Sequence, residues 1–81
     1  MMTISTQSKL KPEEVIKRAV KYFGPGGYGL KVEEEGDCCA SFEGGGGGVR
    51  ITVTEQKKGS TVDVESREWD YQAKAFLEKL R

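Results

Sequence analysis

Residues 28–66 read YGLKVEEEGDCCASFEGGGGGVRITVTEQKKGSTVDVES, and this stretch decides the fold. Tyr28, Leu30 and Val32 alternate with Gly29, Lys31 and Glu33. After the turn signal Glu35-Gly36-Asp37, Cys38, Ala40 and Phe42 alternate with Cys39, Ser41 and Glu43. Beyond the glycines, Val49, Ile51 and Val53 alternate with Arg50, Thr52 and Thr54. Past the turn Gln56-Lys57-Lys58-Gly59, Val62 and Val64 alternate with Thr61, Asp63 and Glu65. A period of two sends successive side chains to opposite faces of an extended chain. Four such segments in a row, separated by turns, predict an antiparallel meander with one apolar and one polar face.

The flanks complete the pattern. Met2-Thr3-Ile4-Ser5-Thr6 alternates in the same way and reads as a first strand. Leu10-Lys11-Pro12-Glu13-Glu14 reads as a helix start. Proline suits the first helical position because the N–H it lacks has no partner there. The two glutamates complement the positive end of the helix dipole. Val15, Ile16, Ala19, Val20 and Phe23 form one apolar stripe, and Gly24-Pro25 ends it. At the other end Trp69, Ala73, Phe76, Leu77 and Leu80 fall at helical spacing, so a second amphipathic helix is expected from about Arg67 to Leu80. Ser66 is its expected N-cap, with Glu68 and Asp70 in the first turn. The expected fold is α+β, a four- to five-stranded antiparallel sheet with two helices packed on one face (β-α-β-β-β-β-α), as a single domain over 1–81. Its open face would carry Thr3, Ser5, Lys31, Glu33, Cys39, Ser41, Arg50, Thr52, Thr54, Thr61, Asp63 and Glu65.

Composition restricts function. Thirteen basic and thirteen acidic residues give no net charge, so there is no general pull toward nucleic acid or anionic membrane. The sign is uneven along the chain: the first helix is basic and the sheet acidic. Histidine is absent, which removes the commonest general base and the commonest zinc ligand together. With no secretory-type apolar segment and no run of membrane-spanning length, the chain reads as cytoplasmic. Cys38 and Cys39, the two cysteines, are expected as reduced, inert thiols, because neighbours in a strand point to opposite faces.

The element order resembles the TATA-box-binding-protein-like fold, a β-α-β4-α unit. It is also similar to a stripped-down helix-grip domain of the START and birch-pollen-allergen type. In those proteins a long C-terminal helix lies across a curved sheet and apolar ligands bind between them. The resemblance is one of topology over nearly the whole chain. Two departures stand out. Helix-grip proteins generally carry an extra helix and strand insertion after the first element, for which this chain has no residues. In the TATA-binding proteins the DNA-reading face is basic and apolar, whereas the corresponding face here is threonine-rich and acidic, which argues against DNA.

The candidate sites follow from these patterns. Gly44, Gly45, Gly46, Gly47 and Gly48 offer consecutive N–H groups that could cradle an anion. However, Val49-Arg50-Ile51 follows as a strand, without the lysine and hydroxyl residue of a Walker loop, so the plainer reading is a loose hairpin. The acidic run Glu33, Glu34, Glu35 and Asp37 alternates between faces and does not converge on a cation. Arg50, Asp63 and Glu65 read as cross-strand pairs on the open face. Tyr28, Trp69 and Tyr71 are expected near the gap between the last helix and the sheet. Together with the glycines they make the candidate ligand site, for an apolar or amphipathic molecule. The expected role is that of a non-enzymatic domain without metal or cofactor, a monomer or weak homodimer; the alternative is a protein-interaction module using the polar sheet face or an edge strand.

Overall fold

A computed structural model describes residues 2–80. The elements are β1 (Met2–Ser8), α1 (Pro12–Phe23), β2 (Lys31–Glu35), β3 (Cys39–Gly44), β4 (Gly47–Gln56), β5 (Gly59–Arg67) and α2 (Asp70–Leu80). All strand pairs are antiparallel and the sheet runs β1-β5-β4-β3-β2. The meander β2 to β5 is laid down by consecutive hairpins. β1 then pairs with the last strand over its whole length, from Met2 opposite Ser66 to Ser8 opposite Ser60. The α+β architecture and its element order are therefore those the alternation predicts.

The apolar face of the sheet and the stripes of both helices meet in one core. Val15, Ile16, Ala19 and Phe23 of α1 and Ala73, Phe76, Leu77 and Leu80 of α2 are buried against Ala40, Phe42, Val49, Ile51, Val53, Val62 and Val64. α1 lies over β3 and β4, and α2 over β1 and β5. The opposite face of the sheet is bare, and Thr3, Ser5, Arg50, Thr52, Thr54 and Glu65 on it are exposed.

Three local expectations are corrected. First, β5 continues to Arg67, and α2 begins at Asp70 rather than Arg67. Ser66 is not a cap: it sits between Val49 and Met2 in the sheet, 1% exposed, and its Oγ has no hydrogen-bond partner. The helix is opened by the carbonyl of Trp69, which accepts from the Ala73 N–H at 2.9 Å. Glu68, just before it, takes a left-handed φ of 66° to turn the chain out of the sheet. Second, β2 starts at Lys31, not Tyr28, because the backbone of 27–30 is spent closing the turn after α1. The Tyr28 N–H donates to the Tyr22 carbonyl at 3.1 Å and the Leu30 N–H to the Phe23 carbonyl at 2.9 Å.

Third, Cys38 and Cys39 are joined to each other in a disulfide. The face-alternation argument fails because only Cys39 belongs to a strand; Cys38 still lies in the β2–β3 turn. That turn is held by the Gly36 N–H on the Cys39 carbonyl (2.8 Å) and the Val53 N–H on the Cys38 carbonyl (2.7 Å). A disulfide is the chemistry of an oxidising compartment or of a redox-active pair, so the cysteines lend no support to a cytosolic location. Among the described residues no helix is long and apolar enough to cross a membrane.

Candidate functional site

The glycine run is a tight hairpin, not a loose one. Gly44 pairs with Gly47, leaving Gly45 and Gly46 as a two-residue turn. Both have positive φ, 60° and 83°, as the type I′ turn that suits the strand twist requires. Gly47 and Gly48 belong to β4. Gly47 is where the chain leaving β5 crosses: a Cβ there would stand 2.0 Å from the Arg67 carbonyl oxygen. Contact therefore dictates the glycine at that position.

Trp69 lies on this hairpin. Its indole N–H donates to the Gly44 carbonyl at 2.9 Å, and its ring edge packs beside Gly45. The Tyr28 ring lies 5.7 Å from the Trp69 ring, and Tyr22 lies 5.3 Å from Tyr28, edge-on. Tyr22 in turn rests on the core rings Phe23 (5.0 Å) and Phe76 (5.3 Å). Lys79 reaches over the Tyr22 ring, its Nζ 4.9 Å from the centroid. Lys21, Tyr22, Gly27, Tyr28 and Lys79 line an open concavity of about 310 Å³. Tyr28 (47% exposed) and Tyr71 (78%) are the large apolar side chains most open to solvent. The Tyr22 hydroxyl is pushed up to about 12, first by burial, then by its hydrogen bond and charge repulsion with Tyr28 and by Tyr71.

The structure thus brings Tyr28, Trp69, Gly44 and Gly45 together, whereas Tyr71 stands exposed in the first turn of α2 and is not among the residues that line the concavity. It leaves out Gly46, which meets no atom, and Gly48, which faces the opposite side of the sheet. Sequence reasoning missed Tyr22, Lys21 and Lys79. The signal for Tyr22 was available: it precedes Phe23 at a position just off the apolar stripe of α1, where an aromatic has no core to fill. The space between α2 and the sheet is occupied by Phe76, Leu77 and Leu80, each no more than 5% exposed, so the corner lies outside the core rather than within it.

The bare face carries a second depression, of about 260 Å³, between Glu33, Glu43, Arg50, Glu65 and Arg67, deepened where Gly48 has no side chain. In register Arg50 stands between Ser41 and Glu65. Asp63 stands between Ser5 and Thr52 and accepts from the Ser5 hydroxyl, so the cross-strand pairing expected for Arg50 and Asp63 is divided between two rows. Among the described residues no three of the Cys, Asp and Glu side chains gather as metal ligands would. No known protein family, characterised protein or solved structure matches this chain.

Proposed function

We propose that this is a non-enzymatic binding domain whose ligand, an amphipathic molecule with an apolar body and an anionic group, rests on the corner formed by Tyr22, Tyr28, Trp69 and Tyr71. The observation that carries this reading is the clustering of the exposed aromatics. Tyr28, nearly half exposed, packs against both Trp69 and Tyr22, and it lines with Tyr22 the open concavity at this corner. Tyrosine and tryptophan give large, rigid contact area with a polar handle, the usual anchor of a binding surface. Lys21 and Lys79 at its rim favour a negative group. The resemblance to helix-grip proteins points the same way, since the corner is bordered by the C-terminal helix, from Trp69 just before it to Lys79 in its last turn.

Trp69 is the sole tryptophan, so its fluorescence reports the corner directly. Titration with anilinonaphthalene sulfonate, an aromatic anion, should give a saturable change that a cationic amphiphile of similar size does not. The double variant Tyr28→Ala/Tyr71→Ala, altering two exposed side chains, should fold and lose the response. An undiminished response in that variant would place the ligand elsewhere and end this reading.

A further inference from the structure

The two edges of the sheet are built differently. β2 is guarded: it is short, carries Lys31, Glu33, Glu34 and Glu35, and has a bulge between Val32 and Glu34. Charges and bulges are what keep an edge from pairing with another chain. β1 has neither. Met2–Ser8 is uncharged and free of proline, and it runs in unbroken register against β5 for seven residues. Its other side is paired with no strand of the sheet. Ile4, on the apolar face at this edge, is only half-buried.

We propose that β1 pairs antiparallel with β1 of a second copy of this chain about a two-fold axis, joining two five-stranded sheets into one. The strand is chemically self-complementary. With the axis on Ser5, Thr3 faces Gln7 of the mate and Ile4 faces Thr6, so no like charges meet. The nearest acids within the sheet, Asp63 and Glu65, lie one strand further in on β5. They are separated from their counterparts by three strand spacings, about 14 Å, which exceeds the screening length of about 8 Å at physiological salt. The helices fit as well. α2 lies over β1 and β5, so the axis sets the two copies of α2 about 10 Å apart, an ordinary helix–helix distance. Lys79 against Tyr22 fixes which flank of α2 faces α1. The opposite flank, above the β1 edge, carries Asp70, Lys74 and Glu78, all exposed and alternating in sign at four-residue steps. The Ser8 hydroxyl donates to the Leu80 carbonyl, so α2 is tied to the β1 edge and its mate runs antiparallel beside it across the axis. A foreign strand would satisfy the backbone equally well, but a second copy brings an uncharged, self-complementary strand together with its own α2 at packing distance.

A contact about 24 Å long belongs to the small, weak class of interface. Sedimentation of the full chain from about 10 μM to about 1 mM should show a shift from monomer to dimer. The β1 amides should change chemical shift over the same range while those of β2 stay fixed. Thr3→Lys/Gln7→Lys alters two exposed side chains on the bare face and opposes lysines across the axis; it should keep its circular dichroism and remain monomeric. Thr3→Lys/Gln7→Glu, with opposite charges facing, should restore the dimer. A wild-type chain that is strictly monomeric at 1 mM, or a double-lysine variant that dimerises like the wild type, would overturn the proposal.

Discussion

Gly47→Ala tests whether the glycine run is dictated by contact or is only a spacer. An added Cβ would lie 2.0 Å from the Arg67 carbonyl oxygen and 2.7 Å from Glu68 Cβ. Normal carbon contacts are about 3.5–4.0 Å, so the neighbouring segment must retreat by about 1 Å or more. β5 cannot retreat as a whole, because Ser66 is paired with both Val49 and Met2. The displacement falls on Arg67 to Trp69 and draws the indole away from the Gly44 carbonyl. Overpacking of this kind costs about 1–3 kcal/mol and the lost hydrogen bond about 0.5–1.5, together about 2–4 kcal/mol. A chain of this length has about 4–12 kcal/mol in all, so the loss is large. Gly46→Ala is the control, since nothing lies within 4 Å of its new Cβ. Its φ of 83° costs a non-glycine residue about 1–2 kcal/mol, offset by about 0.4–1 from the stiffer unfolded chain. Urea unfolding followed by far-ultraviolet circular dichroism measures both variants. If Gly47→Ala and Gly46→Ala agree within about 0.5 kcal/mol, the packing argument is wrong and the run is a spacer after all.

Glu68→Gly should stabilise the protein by up to about 1 kcal/mol, because relief of a left-handed glutamate outweighs the extra freedom glycine brings to the unfolded chain; calorimetry would show a raised midpoint, and a lowered one would mean that the Glu68 side chain makes a contact that matters. Tyr22 ionises at about 10 when unfolded and about 12 when folded, so the folded state holds its proton more tightly. Its contribution to stability should be full below pH 10 and lost as pH rises toward 12, with one of the three tyrosines lagging in an ultraviolet titration; three tyrosines titrating together would contradict the corner's geometry. Cys38→Ser/Cys39→Ser should cost only about 1 kcal/mol, because a ring closed over two adjacent residues removes little freedom from the unfolded chain; a loss above about 3 kcal/mol in urea would show that the pair clamps the β2–β3 turn.

The fold was legible because its determinants are periodic. Val49, Ile51 and Val53 against Val62 and Val64 exclude every odd slip, which would turn one set of apolar side chains outward, and the short turn between Gln56 and Gly59 picks the register in which Ile51 meets Val64 and Val53 meets Val62. The stripes on α1 and α2 have no other surface to cover. Boundaries were less legible, and for a common reason: each error lies where a backbone hydrogen bond or a strand partner outweighs a side-chain preference. Ser66 is a good N-cap residue in isolation, but pairing on both sides holds it in the sheet. Tyr28 fits the alternation of β2, but its N–H is taken by the Tyr22 carbonyl. Cys38 and Cys39 fit a strand pattern, but the turn begins between them.

The candidate site was legible only in part, because it depends on how the two ends of the apolar layer close rather than on any motif. Tyr28, Trp69, Tyr71 and the glycines are expected from the sequence as one candidate site, but only through their shared nearness to the gap between the last helix and the sheet. What joins them is Glu68: its left-handed backbone swings the chain across Gly47 and drops the indole onto the Gly44 carbonyl. The glycines are therefore the bed on which Trp69 lies, and the anionic group of the proposed ligand is assigned to Lys21 and Lys79 rather than to the glycine N–H groups. The N–H groups of Gly47 and Gly48 are strand groups in β4, and Gly45 is covered by the indole. Only Gly46 remains open, and a single open N–H cannot cradle a phosphate. A ligand at this corner must accordingly be recognised by ring faces and lysines, and its affinity should fall with added salt if the anionic group contributes, and stay level if the aromatic body alone is bound.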